Sequence, residues 1–413
     1  MRVSLITKFA VRTLGRSVRR TLLSVVGIGI GCAIAVFIAA FMRGSDRLRV
    51  RGVAESGVGH LRVAPAAWEK SRDNELRLQD WQAELATVKS LRGIGTVAPH
   101  ARATALLAFG TRVAGVEIVG VDPQVEQHIN RLVRELSEGR YLQPGDRSVT
   151  VVGKAIAERL EVELDDDLLL SVVGEGGEVR YAMLRIVGIV STGSRDIDGT
   201  ICHVTLEDIE EFTGLGGAAE LTITVDDWRR FERVASEIRP LLPEGDAVLT
   251  WKDVVPGIGG DMESDGAFMD LLTGIVIVMV VLGVTSAQLT AILERRREFA
   301  VLIALGMKSR QVIRLIVSEA VVAGVLGAAL GLLLATPLVY HTATTGLDFA
   351  ALMGEDLAIS GVLFDPVFYS DMGPWMIPHA LILALVSTLI AAIYPAWYAL
   401  RTNPTSALSL REA

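Results

Sequence analysis

Four apolar stretches, each long enough to cross a bilayer as a helix, constrain this chain more than any other feature. Spanning the hydrocarbon takes about 20 apolar residues. Thr21 to Met42, Leu271 to Leu293 and Pro378 to Leu400 carry no Asp, Glu, Lys or Arg, and Leu315 to Tyr340 carries only Glu319. With 51% hydrophobic and 21% charged residues in 413, the chain is too apolar to be disordered or wholly soluble. The formal net charge of -8 argues against a general nucleic-acid partner.

The first stretch follows a long charged lead and exceeds the 7–15 residues usual for a signal-peptide core. Ala33-Ile34-Ala35 is in mid-run, and no processing box surrounds Cys32. The expectation is a retained helix. Orientation follows from the basic residues beside the spans. Residues 1–20 carry Arg2, Lys8, Arg12, Arg16, Arg19 and Arg20 without an acid. The loop after the second span carries Arg295, Arg296, Arg297, Lys308, Arg310 and Arg314, whereas His341 to Trp375 contains acids only. Both termini and the 294–312 loop are therefore expected on the cytoplasmic side, and residues 43–268 and 341–377 outside.

Residues 43–268 read as a net acidic, mixed α/β domain. Strand patterns occupy Gly59–Ala64, Val113–Val121, Leu168–Val173, Tyr181–Val190, Glu220–Val225 and Ala247–Trp251. Helical patterns occupy Asp80–Leu91, Gly153–Leu160, Leu206–Phe212 and Trp228–Leu241. The turn-rich 123–216 stretch suggests an inserted β-rich unit. Residues 48–122 and 217–255 would then form a membrane-proximal unit. Val255–Asp270, rich in glycine and acids, reads as a linker.

No catalytic constellation survives inspection. There is no phosphate-cradling G-x-x-x-x-G-K-[ST], no H-E-x-x-H and no G-x-S-x-G. Asp261, Glu263, Asp265 and Gly266 imitate a calcium loop, but Leu272 stands where its bidentate Glu is needed. His60, His100, His128 and His203 lack ligand spacing and read as surface or capping residues. Cys32 and Cys202 lie in different compartments and read as buried thiols. The Asp165-Asp166-Asp167 run reads as a solvated turn. No catalytic residue, metal or resident cofactor is expected.

Two features carry more. Glu294, Arg295, Arg296, Arg297 and Glu298 end the second apolar run. Val301, Leu302 and Leu305 follow as an apolar stripe, and Gly306 is placed to stop the helix. Such a helix can lie in the membrane plane or dock in a groove on a cytoplasmic protein. Within the spans, Gly27/Gly31 and Gly327/Gly331 are spaced for close helix approach, and Pro395 interrupts the fourth. Glu319, about a turn inside the third, suits snorkelling or pairing with a basic loop residue.

These residues resemble the permease subunits of the MacB/FtsX/LolC-LolE group of ABC transporters, the type VII or mechanotransmission permeases. Arg20-Thr21-Leu22-Leu23-Ser24 with Gly27, Gly29 and Gly31 is similar to the family's first span. Glu294-Arg295, Glu298, Ala304-Leu305-Gly306 and Glu319-Ala320 resemble its loop signature. Tyr394-Pro395-Ala396, Ala399, Pro404 and Ala407-Leu408 resemble its closing motif. Ile303, Phe299-Ala300 and Ser409 depart from the family's usual residues and bear on the strength or partner of the loop contact.

The resemblance implies a polytopic α-helical membrane protein of four transmembrane helices, one plus three, around a large mixed α/β extracytoplasmic domain. The expected segments are a basic N-terminal stretch (1–20), spans at 21–42, 271–293, 313–340 and 378–400, a coupling helix and loop (294–312) and a tail (401–413). Two permease chains, alike or different, would each dock the 294–306 helix on a separate cytoplasmic ATPase that binds ATP and Mg. Membrane lipids surround the spans. Gly59-His60, Gly139-Arg140-Tyr141-Leu142 and Ser191-Thr192-Gly193 look most like lipoprotein-releasing permeases of the bacterial inner membrane, whose partners are a lipoprotein substrate and a periplasmic carrier. Alternatives are an efflux permease with a periplasmic adaptor and an outer-membrane channel, or a non-transporting regulator of a cell-wall hydrolase.

Overall fold

The computed structural model describes residues 18–69, 71, 73–294, 308–348, 358–359, 362–363, 365 and 367–401. In chain order its longer helices are α1 (Val18–Val53), α2 (Trp81–Lys89), α3 (Pro123–Ile129), α4 (Lys154–Leu160), α5 (Leu206–Thr213), α6 (Phe231–Ile238), α7 (Pro256–Glu294), α8 (Ser309–Thr345) and α9 (Met376–Arg401). The longer strands are β1 (Leu61–Pro65), β2 (Ile94–Phe109), β3 (Arg112–Val121), β4 (Leu136–Gly139), β5 (Val149–Gly153), β6 (Asp167–Val173), β7 (Val179–Val190), β8 (Cys202–Thr205), β9 (Glu220–Val225) and β10 (Asp246–Thr250). The chain divides into two compact units.

The first unit comprises Met1–Ser45, Ser264–Leu347 and Phe368–Ala413. Four helices, Leu22–Val58, Pro256–Glu294, Arg310–Thr345 and Met376–Ala399, are long and apolar enough to cross a membrane. Small residues fill the interior of this unit: Cys32, Ala35 and Ala40 of α1, Ala328 and Ala335 of α8, and Ala380 and Ala384 of α9. Large residues such as Leu23, Met279, Leu333 and Ile393 point outward, as a lipid-facing surface requires. Ser387 and Thr388, fully buried, donate to the carbonyls of Leu383 and Ala384 in their own helix.

Two boundaries differ from the sequence expectation. Helix α1 does not end near Met42 but runs to Val53, because Val50 and Val53 bury an apolar face and Arg51 pairs with Glu55 one turn on. The expected linker Val255–Asp270 is the start of α7. Pro256 is preset for a first helical turn, and extending a helix already nucleated by the apolar run costs little. Asp261, Glu263 and Asp265 therefore sit on a helix, not in an ion-binding loop.

The second unit comprises Asp46–Glu263 and Asp348–Val367. Strands β10, β1, β9 and the first half of β2 form an antiparallel sheet. Its core gathers Val53, Leu61, Val97, Leu221, Ile223 and Trp251, covered by α2 and α6. Beyond His100, β2 leaves β9 and pairs with β6. The ladders β2–β3, β3–β8, β8–β5, β5–β7, β7–β6 and β6–β2 then close a six-stranded ring. Closure removes edge strands that would otherwise template aggregation. Leu107, Ile118, Leu168, Leu170, Leu184 and Ile186 fill this barrel, with Ile156 of α4 and Ile209 of α5. The two cores therefore do not divide at residue 122 as expected. Residues 101–118 of β2 and β3 belong to the barrel, because the 16-residue β2 is long enough to serve both.

Glu84 of α2 is buried. Burial, and then the neighbouring Asp246 on β10, push its carboxyl up to about 7. A raised carboxyl favours folding only while protonated. As pH rises past the ordinary value of 4.5, the unfolded chain releases this proton first, and stability falls until about pH 7. Glu84→Gln removes that loss. Melting curves should show the variant gaining several degrees over the parent at pH 8, and the gain vanishing near pH 4.5. A gain independent of pH would contradict this.

Candidate functional site

Helices α1 and α7 frame an apolar groove of about 330 Å³ lined by Leu23, Gly27, Ile30, Ile34, Met279 and Gly283. Gly27 and Gly283 leave it open, since a Cβ at either would meet nothing within 4 Å. The other glycines singled out in the spans stand in tight places. A Cβ at Gly31 would strike Val280 of α7, and one at Gly327 would strike Ile28 of α1. A Cβ at Gly331 would lie 2.6 Å from Cys32 Cβ and 3.0 Å from the Gly29 carbonyl. Gly29, named from the sequence only within the family-like first span, is as tight: a Cβ there would lie 2.8 Å from Leu330 Cδ2. The structure thus places Gly31, Gly327 and Gly331 in helix contacts and Gly27 at the groove.

Pro395 lies inside α9. Having no N–H, it leaves the Ala391 carbonyl, four residues back, without its helical donor. Thr285 of α7 supplies one: its Oγ1 donates to Ala391 O at 3.2 Å. Around this bond, Ile292 of α7, Leu315 and Ile316 of α8, and Ala392, Ala396 and Ala399 of α9 form one apolar cluster. Three helix ends are thereby packed together at positions flanking 295–307. Glu294 is exposed at the last turn of α7, and Glu319 is half-buried in α8 beside Ala320. Arg295, Arg296, Arg297, Glu298, Val301, Leu302, Leu305 and Gly306 lie outside the described residues.

Sequence reasoning missed a buried polar network in the second unit. Glu220 of β9, fully buried, forms an ion pair with Arg62 Nη1 of β1 at 3.0 Å and accepts from Arg102 Nε of β2 at 2.8 Å, and Arg102 Nη1 donates to Glu117 at 3.1 Å. His100 of β2 sets Nε2 2.8 Å from Glu126 Oε2 on α3, and Nδ1 3.0 Å from Thr222 Oγ1 on β9. Asn130 Nδ2 donates to Glu126 Oε1 at 2.6 Å. Burial alone would raise Glu126, but His100 holds it down to about 2. Burial pulls His100 down, yet Glu126 and Glu220 outweigh it and hold the ring above its ordinary value. Both form a charge-assisted pair.

The histidines correct the surface reading. His60, His100 and His203 are buried, because each has a partner that justifies its burial. His60 Nδ1 accepts the Val225 N–H at 3.1 Å, and burial pushes its pKa down to about 4. His203, pushed down to about 4 by burial, sits 2.7 Å from the Tyr141 hydroxyl. His128 is exposed, as expected. The partners are far apart in sequence, so spacing could not reveal them. Among the described residues, no group of three or more His, Cys, Asp and Glu could hold a metal.

The barrel carries an apolar outer face. Cross-strand neighbours Ala108, Val113, Leu169 and Met183 form one row, and Leu106 and Tyr181 lie in the next. Val113, Met183 and Tyr181 are more than half exposed. Beside it, a depression of about 440 Å³ is lined by Leu106, Val173 and Val179.

Two family models match the chain: the MacB-like periplasmic core domain over residues 21–241 and the FtsX-like permease C-terminal over residues 271–404. The lipoprotein-releasing system transmembrane protein LolC of Xylella fastidiosa is 22% identical, across 93% of this chain and 92% of its own length. LolC of Neisseria meningitidis serogroup B is 24% identical, across 94% of this chain and 93% of its own. The macrolide export ATP-binding/permease protein MacB of Bdellovibrio bacteriovorus is 22% identical, across 85% of this chain but 55% of its own. The solved periplasmic region of MacB from Actinobacillus actinomycetemcomitans covers 49% of this chain and 94% of that chain, at 14% identity and a TM-score of 0.35.

Proposed function

Because the chain belongs to the FtsX-like permeases with a MacB-like periplasmic core domain, we propose that it passes ATP-driven motion across the inner membrane to its extracytoplasmic domain, and that the motion releases lipoproteins. The groove between α1 and α7 carries this reading. It is open and, Ser24 apart, lined by apolar residues and glycines that an acyl chain would cover, whereas a soluble substrate would need more polar contacts. Full-length similarity to two proteins named LolC supports the same substrate class.

The parts follow from chemistry. These 413 residues contain no phosphate-binding loop, and ATP and Mg are assigned to an ABC-type ATPase on the cytoplasmic side, carried on a separate subunit as in the family's permease subunits. Residues 294–306 are the segment that docks on it: Arg295–Arg297 meet acidic groups, and Val301, Leu302 and Leu305 enter an apolar groove. A second permease chain completes the transporter, with both termini on the ATPase side. The apolar face of the barrel suits a soluble carrier that takes up the released lipid-bearing protein. Similarity to MacB keeps one other reading alive, efflux through a periplasmic adaptor.

Mild-detergent purification with mass spectrometry of bound proteins tests the assignment. A co-purifying ATPase of the ABC type together with a trapped lipoprotein supports it; an adaptor in the lipoprotein's place supports efflux. Leu302→Pro tests the docking helix expected from the sequence, since proline in a helix interior costs about 3 kcal/mol. It should abolish the coupling of ATP hydrolysis to release while the extracytoplasmic domain keeps its melting temperature. A folded Leu302→Pro protein with unchanged hydrolysis and release would overturn the docking assignment.

A further inference from the structure

The far end of α1 packs Val50 and Val53 into the core of the sheet, and just beyond them it meets polar atoms. After Val53 the helix closes through a π-helical turn, Ala54–Val58, in which Gly57 takes φ +79°. Gly57 presents bare backbone. A Cβ there would stand 3.2 Å from Asn130 Nδ2 and 3.8 Å from Glu126 Oε1. Asn130 and Glu126 are a turn apart at the end of α3, and a 2.6 Å bond joins the two side chains that adjoin that backbone. Glu126 then reaches across to His100, and all three side chains are at most 3% exposed.

His100 occupies a particular place on β2. It is the last residue of the strand paired with β9, and Ala101 is the first to enter the barrel core. Its ring faces Glu126 of α3 and Thr222 and Glu220 of β9; Glu220 in turn pairs with Arg62 and Arg102, and His203 of β8 is near enough to interact with both His100 and Glu126. A buried ion pair adds little to stability over apolar residues of similar shape, but it fixes geometry, because its bonds are directional and costly to leave unmade.

We propose that His100, Glu126 and Asn130 form a latch that ties the end of the first long helix to β2 at the point where sheet becomes barrel, so that displacement of the helix is carried into the barrel rather than absorbed by the turn. The proposal rests on the transmission reading for its purpose, but the mechanical tie exists in the chain alone. The three are positioning residues; none touches a substrate.

Cys32 and Cys202 are buried, and burial pushes the Cys202 thiol up to about 11, so introduced surface cysteines take a spin label selectively. Labels at exposed Arg47→Cys on α1 and Tyr181→Cys on the barrel, in full-length protein in lipid nanodiscs, report the distance between helix and barrel. Glu126→Gln should add a second distance population of about 10% or more. Asn130→Ala, which leaves the His100–Glu126 bond in place, serves where Glu126→Gln does not fold and should act in the same direction. Unchanged distributions in a folded variant overturn the latch.

The same labels separate the latch from the transmission reading. With the co-purified ATPase and ATP plus vanadate, the parent distance should shift and that of Glu126→Gln should not. An equal shift in both overturns the latch. A parent that does not shift, beside a broadened variant, overturns the transmission reading and upholds the tie.

Discussion

Glu220→Ala is expected to cost the extracytoplasmic domain about 3–5 kcal/mol, because it removes a buried carboxylate with which Arg62, Arg102 and His100 all pair. Arg62 is 3% exposed, pairs with Glu220 at 3.0 Å and stacks 5.1 Å from the Trp68 ring. Arg102 would keep only the half-exposed Glu117. Both arginines and His100 converge on this one carboxylate, so no rearrangement of a single side chain restores the balance. Trp251, 2% exposed in the same core, reports unfolding by fluorescence. The urea midpoint of the full-length protein should fall by roughly 1–2 M. A fall within error of the parent would mean that water reaches the site. The network also sets an acid limit. Glu126, held at about 2, contributes its full stability above its ordinary 4.5 and loses it as pH falls toward 2.

In the membrane unit the largest effect belongs to Gly331→Leu. A leucine must place its Cβ where Cys32 Cβ already stands at 2.6 Å, and three further carbons beyond it. Helices α1 and α8 would have to part, losing the close approach that replaces hydrophobic driving force in lipid. Overpacking of this kind costs about 3 kcal/mol. Unfolding in mixed micelles of rising SDS fraction should begin at a clearly lower fraction than for the parent. Gly27→Leu is the control, since its Cβ meets nothing within 4 Å. It should leave that titration unchanged and instead fill the groove, lowering lipoprotein release. A Gly331→Leu protein as stable as the parent would mean that crowding at Gly331 is relieved by side-chain motion alone.

The spans were legible because a run without charge is a one-dimensional property. Their true ends were not. Arg43, Asp46 and Arg47 look like an exit into water, yet α1 continues because Val50 and Val53 find a core that only the fold supplies. Strand β2 escaped notice for a related reason. Ala98, Ala101, Ala103 and Ala105 carry little strand preference, but they are the size that the crowded junction of sheet and barrel admits. Most of the shorter strands with branched or aromatic alternation were legible. The site divides in the same way. Glycine spacing in the spans pointed at contacts that one chain makes with itself. The latch could not be read, because Glu126 lies 26 residues from His100 and Thr222 lies 122 away. The 295–306 segment was legible only as a motif.

Strand β2 also bears on how such proteins can be recombined. At about 3.4 Å per residue its 16 residues reach roughly 54 Å, one continuous beam through two cores. A chimera that swaps residues 123–216 between relatives would transplant most of the barrel's staves but not the hairpin that closes it. Leu107, Val116 and Ile118 of the host would then meet foreign walls. The exchangeable module begins at residue 101 instead, halfway along a strand, where no loop invites a crossover. Barrel and sheet are therefore bound to diverge together, and a change of specificity in one must be compatible with the register of the other.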